Sequence, residues 1–344
     1  MTALPIQIDP TIEAVLQQLE RAECSQQPRP YLGMSAIGQP CHRRLWYAFR
    51  WAARERMTAT SLLRINDGHR GETAMAAMLN AVDGIELLTE DPRTGKQFGF
   101  ADIGGHFRGH ADGMITGLLQ APATLHVWEA KVVAEDKATK LYNLTWQIGE
   151  KNALAKWDEV YYAQAVLYMH YAKATRHYLT CGSPGVRSMV GVRTDADPLT
   201  TQRLQIKAKA IITAQEPLQK LSDDPAWWQC KGCAMSGICH RNELPAVNCR
   251  TCVHATPELD GDGRWSCAKW GADIPVDAQR VGCEQHRYIP ALVTVARQVD
   301  ASEQDGWIEY RTPNGVTFRN GSGTGGLSSE EIRSGAWLES RAAA

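Results

Sequence analysis

The sequence predicts a mixed α/β protein, in which helices flank a hairpin-rich sheet. Three observations lead there. Four apolar, strand-like segments (IELLTE, QFGFAD, GHFRGHADGMI and TLHVWEAKVV) follow one another between Ile85 and Val133, separated by glycine and proline turns. Helical stretches stand on both sides, Met57 to Val82 before them and Trp157 to Ala174 after. Two more strand segments, RHYLTC and VRSMVGVR, follow the second helix, and this order of elements needs helices packed on a sheet.

Taken in order, the chain opens with a helix at Asp9-Pro10, an N-cap acid followed by proline at the first helical position, with Ile12, Val15, Leu16 and Leu19 as its apolar stripe. QQPRPYLGMSAIGQP links it to an arginine-rich helix starting near Cys41. That stretch, CHRRLWYAFRWAARER, carries Arg43, Arg44, Arg50, Arg54 and Arg56 among aromatics and suits either a solvated helix face or a DNA-contact surface. The helix Met57 to Val82 puts Glu72, Met75, Ala76 and Leu79 on one face, so Glu72 is carried toward the core. Along GHFRGHADGMI, His106, Arg108, His110, Asp112 and Met114 share a face of one strand. Glu135 to Ala155 is polar and poorly periodic, as an inserted loop or lid would be. In WDEVYYAQAVLYMHYAKA, Gln164 and Tyr168 are one helical turn apart. A helix runs from Pro198 to about Leu221, WIEYRTPNGVTFRNG forms a hairpin around Pro313-Asn314-Gly315, GSGTGG is a flexible link, and Ser328 with Glu331 caps a last short helix.

The chemistry concentrates in TLHVWEAKVV. Residues at i and i+2 of a strand leave the same face, so Glu129 and Lys131 point together while Trp128, Ala130 and Val132 pack behind them. Asp112 arrives from the neighbouring strand. Two carboxylates brought to roughly 4 Å repel by about 4 kcal/mol at an effective dielectric near 20. A divalent cation between them turns that repulsion into a binding site, and Lys131 beside it steadies an anionic transition state. Glu-x-Lys alone is weak, since about one is expected by chance in a chain of this size; a buried structural ion pair is the competing reading.

At 344 residues, 44% hydrophobic and 22% charged, the chain suits one main globular domain with an appendage. A net charge of −1 argues against a passive nucleic-acid coat protein and leaves room for an enzyme with a local basic groove. No apolar run approaches a membrane span, and the N-terminus lacks signal-peptide features, so a cytoplasmic protein is expected, without a membrane partner. Ten cysteines in a chain without a secretory signal point to metal rather than disulfides.

These residues together resemble the RecB-like branch of the PD-(D/E)xK nuclease superfamily. The match runs in family order through Gly68 and Glu72 (GHRGE), Asp112 (GHADG, with Ala111 where the family name has proline), Glu129-Ala130-Lys131, and Gln164 with Tyr168 (QAVLY). The resemblance implies a restriction-endonuclease-like mixed sheet flanked by helices. It implies a Mg2+- or Mn2+-dependent deoxyribonuclease, an exonuclease on single-stranded DNA or DNA ends, in recombination, repair or phage DNA processing. Asp112, Glu129 and the carbonyl of Ala130 would hold the ion, with His69 or Glu72 completing the site. Lys131 would activate the attacking water, and Gln164 and Tyr168 would position DNA and the lysine. A recombination or replication protein is the expected protein partner. A silent nuclease fold that binds DNA or a partner, a CRISPR spacer-acquisition subunit, and a non-nuclease iron–sulfur or zinc regulator are the alternatives.

WWQCKGCAMSGICH supplies Cys230, Cys233 and Cys239, and a fourth ligand must come from elsewhere, with Cys41 the candidate. Spacing alone suits zinc or iron–sulfur. Similarity to the CRISPR-associated and AddB-type nucleases implies a 4Fe-4S cluster that staples the domain. NCRTC, RWSC and VGCEQH add Cys249, Cys252, Cys267 and Cys283, the spacing of a small zinc ribbon, in which His286 could replace Cys283. His240 and His254 are expected to be bystanders, and Cys24 and Cys181 small buried hydrophobes. The expected segments are residues 1–56 (N-terminal helices and the first cluster cysteine), 57–195 (nuclease core), 196–245 (helix and iron–sulfur cysteines), 246–290 (zinc-ribbon-like module) and 291–344 (hairpin and tail).

Overall fold

A computed structural model describes residues 9–321, 323 and 325–341. The first eight residues, where a signal peptide would begin, and Ser322 and Thr324 of the glycine-rich link lie outside the described residues. The chain divides into two compact units interleaved along the sequence. One takes the chain through Pro28, then Glu55–Phe100 and His110–Thr201; the other takes Arg29–Arg54, Ala101–Gly109 and the chain from Gln202 onward.

The first unit is built on a five-stranded sheet whose spatial order follows the sequence: Glu86–Leu88, Gly113–Thr116, His126–Val132, Arg176–Gly182 and Met189–Asp195. Neighbours are antiparallel except His126–Val132 and Arg176–Gly182, which run parallel. Parallel strands need a crossover, and three helices provide it: Glu135–Ile148, Glu150–Trp157 and Glu159–Tyr171. The expected loop or lid at 135–155 is thus two helices hinged at Gly149, whose φ of 81° favours glycine. Their buried side chains are few (Ala138, Leu141, Ala153, Leu154, Trp157), and they pack with Leu179, Cys181 and Val192 of the sheet. Met75, Leu87, Ile115, Trp128 and Ala130 form a second apolar cluster. Met75 belongs to the long helix Ala59–Asn80, which approaches His126–Val132 closely at Gly71, where a Cβ would fall 2.3 Å from Val132 Cγ2.

Asp9 caps the first helix, Pro10–Ser25, its carboxylate accepting from the N–H groups of Thr11 and Ile12. The expected apolar stripe of that helix is largely open, with Ile12 and Val15 exposed. GHFRGHADGMI is two strands rather than one. Phe107–Ala111 ends before Asp112, Gly113–Thr116 starts after it, and only the second belongs to the five-stranded sheet. The helix from Pro198 stops at Thr213 rather than near Leu221, ahead of Pro217.

In the second unit, the arginine-rich helix is His42–Phe49, and Arg50 just beyond it is fully buried. Its guanidinium lies 5.2 Å from the Trp46 ring and 5.1 Å from the Trp265 ring and donates to the carbonyls of Ala214 and Arg250. Arg43 donates to the carbonyls of Leu218 and Pro217. Neither expected role of the arginine face, solvated or DNA-contacting, fits Arg50, which is an interior tie. Arg250, also buried, answers it by donating to the carbonyls of Phe49 and Pro30 and to Gln279. A three-stranded sheet (Ala255–Pro257, Trp265–Cys267, Ala272–Asp273) and a four-stranded sheet ordered Arg297–Ser302, Trp307–Arg311, Thr317–Gly321, Gly326–Leu327 complete the unit. The hairpin turns as expected with Gly315 at φ 83°, and Ser328 and Glu331 form the expected capping box.

Candidate active site

The central strand His126–Val132 places the expected residues on opposite faces as alternation requires. Trp128 and Ala130 join the cluster of Met75, while Glu129 and Lys131 face the helix Glu159–Tyr171. Glu129 is only 4% exposed. Its Oε1 accepts from Gln164 Nε2 at 2.6 Å and from Lys131 Nζ, whereas its Oε2 is buried without a hydrogen-bond partner. Burial holds the Glu129 carboxyl well above the usual range; Lys131 works against this and Asp112 adds to it. Burial opposes the Lys131 ammonium, yet the Glu129 and Asp112 carboxylates hold its pKa above the ordinary lysine value. Its Nζ also lies 5.4 Å from the Tyr161 ring centroid.

Asp112 sits at the break between its two strands, half-buried. Its Oδ2 accepts from Ala130 N at 2.9 Å, an N–H beyond the last paired residues, Gly113 and Trp128. The break is what turns the Asp112 carboxylate onto the Glu129-Ala130-Lys131 segment. Glu72 comes from the helix Ala59–Asn80, half-buried. Its carboxyl is raised by burial and by Asp112, and lowered in part by Lys131 and His69, so those charges surround it. His69 is exposed on the same helix. Gly68 has open space around its Cβ position; the close approach to the sheet belongs to Gly71. Tyr168, 2% exposed, packs tilted against Phe100 with ring centroids 5.5 Å apart, and its hydroxyl is pushed up by burial and by Glu129, with Gln164 bonded beside it.

Sequence reasoning passed over four residues at this site. His177 is buried, with Nδ1 unpartnered, and burial together with Lys131 and His126 lowers it to about 3, so it is neutral beside the lysine. His126, buried, has Nδ1 against the Thr124 carbonyl at 2.9 Å. Tyr161 lies under both Lys131 and Lys137, and Lys137 Nζ is bonded to Asp158 Oδ2 at 2.7 Å. Strand and helix spacing brings His177 and Tyr161 to the face of Glu129, but nothing in their identity sets them apart from core residues.

None of the cysteines is in a disulfide. Cys41 caps the helix His42–Phe49, its Sγ accepting from Arg44 N at 3.4 Å. The Cys230 thiol is raised by burial and by Cys41 and Cys233; that of Cys239 is raised by burial, opposed by Arg43 and Lys220, with Cys41 and Cys230 adding. These four therefore share one neighbourhood. Cys181 is buried as expected, but Cys24 is exposed. Among the described residues, no group of three or more His, Cys, Asp or Glu side chains is already gathered to hold a metal ion. None of the described helices is long and apolar enough to cross a membrane.

No protein-family model matches the chain, and no curated protein matches it. Solved structures do. One is the crystal structure of SSO0001, at 16% identity over 67% of this chain and 96% of that one, with a TM-score of 0.37. Another is an alkaline exonuclease (LHK-Exo) from Laribacter hongkongensis, at 12% identity over 57% of this chain and 90% of that one, TM-score 0.38. A phage-related exonuclease from Haemophilus somnus 129PT is similar at 13% identity over 52% of this chain and 78% of that one, TM-score 0.34.

Proposed function

We propose that the chain is a Mg2+- or Mn2+-dependent deoxyribonuclease, an exonuclease on single-stranded DNA or DNA ends in recombination, repair or phage DNA processing. The observation that carries this reading is the Glu129 carboxylate. One oxygen is fixed by Gln164 and Lys131, and the other is buried without a partner on the segment that Asp112 also reaches. A buried unpartnered carboxylate oxygen costs stability unless it has a ligand. Two carboxylates suffice for an ion of the Mg2+ type, which keeps waters and takes substrate phosphate oxygens for the rest of its shell.

Asp112, Glu129 and the Ala130 carbonyl would hold the ion, with Glu72 or His69 beside it, and the ion would supply Lewis acidity at the scissile phosphate. The chain's own groups do the rest. Gln164 holds Glu129 so that Oε2 stays free, and Tyr168 supports Gln164. Lys131, kept protonated by its carboxylate neighbours, orients the attacking water and stabilises charge growing on the phosphate. Its position against Tyr161 keeps the ammonium from swinging to solvent. In the second unit, Cys41, Cys230, Cys233 and Cys239 would hold a 4Fe-4S cluster, and their shared neighbourhood, with none of them in a disulfide, supports that set.

Incubation of the anaerobically purified protein with end-labelled single- and double-stranded DNA and Mn2+ tests the function. Labelled mononucleotides or short oligomers are expected, abolished by Lys131→Ala. No cleavage of either substrate, or full cleavage by the variant, contradicts the assignment.

A further inference from the structure

Outside the proposed nuclease site, the second unit holds a half-open cavity whose walls include Cys249, Cys252, Cys267 and the exposed Cys283, with His254 and His286 beside them. Local structure explains why these thiols line one cavity. Cys249 opens the short 3-10 turn Cys249–Thr251 and Cys252 follows it, making a knuckle. Cys267 ends the strand Trp265–Cys267, in register with Ala255 just after that knuckle and with Ala272 on the other side. Cys283 returns after the short helix Val276–Gln279.

Three further observations single the cavity out. The backbone N–H of Arg287 donates to Cys252 Sγ at 3.5 Å, and that of His254 also points there, so this sulfur already has two main-chain donors at the cavity wall. The Arg287 guanidinium, itself buried, faces Cys252 and Cys283 as a countercharge. Both ring nitrogens of His286 are taken, Nδ1 by Ser329 Oγ at 2.7 Å and Nε2 by Thr251 Oγ1 at 3.2 Å, so this histidine has no lone pair to offer the cavity.

We infer that Cys249, Cys252, Cys267 and Cys283 bind a structural Zn2+ ion as four thiolates, with Cys283 and not His286 as the fourth ligand. Four thiolates and a closed tetrahedral shell suit zinc. The four sulfurs line the cavity without yet being gathered, so binding the ion would draw them together and release the thiol protons to solvent. The four thiolates outweigh the ion by two negative charges, and Arg287 with the two backbone N–H groups offsets that excess. The site also has a structural consequence: Arg250, which ties the chain at Pro30 and Phe49, is carried on the loop between the first two ligands.

The full-length protein, expressed in zinc-supplemented medium and purified without chelator, tests this by metal analysis and cysteine mapping. Zinc is expected to fall by about one ion per chain in Cys283→Ser, and to stay at the wild-type level in Cys230→Ser. In the wild type, iodoacetamide should modify Cys249, Cys252, Cys267 and Cys283 only after zinc is removed. This second measurement needs no variant and decides the matter if Cys283→Ser does not fold. Immediate alkylation of all four in zinc-replete protein, or iron in place of zinc that is lost in Cys283→Ser, overturns the inference.

Discussion

At the residue scale, the site depends on a few charges placed where water cannot relieve them. Glu129 and Lys131 were legible because alternation along an apolar strand sends charges to one face, and a buried charge such as Glu129 needs a partner or a ligand. Arg50 was not legible. Its acceptors, the carbonyls of Ala214 and Arg250, lie 164 and 200 residues away, so local pattern could only present it as part of a charged helix face. The raised Glu129 carboxyl has a pH consequence. The folded protein retains a proton that the unfolded chain has lost, so the metal-free fold loses stability as pH rises from the ordinary glutamate range, about 4.3, toward neutrality. Metal-free wild type is expected to drop in Tm by at least about 3 °C between pH 5 and pH 8. Glu129→Gln should flatten that slope in thermal scans without metal; an unchanged slope would remove Glu129 as its source.

At the element scale, the five-stranded sheet was visible in the sequence as runs of strand-like segments, but two of its details were not. The alternation of GHFRGHADGMI continues through Asp112, so periodicity cannot reveal that the strand breaks there. The helices Glu135–Ile148 and Glu150–Trp157 bury few side chains (Ala138, Leu141, Ala153, Leu154, Trp157), which leave little apolar periodicity in a polar stretch. The helix Ala59–Asn80 offers a paired test of packing. Gly71→Ala should destabilise by about 1–3 kcal/mol, because its Cβ would strike Val132 of the strand His126–Val132. Gly68→Ala, in open space three residues earlier, should stabilise by up to about 1 kcal/mol. Denaturant titration reads both, and equal effects at the two positions would contradict the close helix–strand approach.

At the scale of the whole molecule, the chain is not a string of modules. Residues 29–54 and 101–109 belong with the C-terminal half, while the candidate site residues from Glu72 to Tyr168 lie in the other unit. The cysteine spacings were legible as two candidate groups; the interleaving was not, because it depends on long-range ties such as Arg250 to Pro30 and Phe49. Arg250→Leu leaves those carbonyls and Gln279 without their buried donor and should cost at least about 3 kcal/mol. Limited proteolysis should then open segment 29–54 before the five-stranded sheet. Simultaneous loss of both units, or no loss, would show that Arg250 is not the tie of the second unit alone.

The central claim is that Asp112 and Glu129 form one cation site. Electron paramagnetic resonance of free Mn2+ during titration of the full-length protein measures it directly, beside Asp112→Asn and Glu129→Gln with circular dichroism to confirm folding. The account predicts saturable Mn2+ uptake by the wild type, weakened at least about tenfold in each folded variant. Uptake unchanged in both folded variants would contradict it.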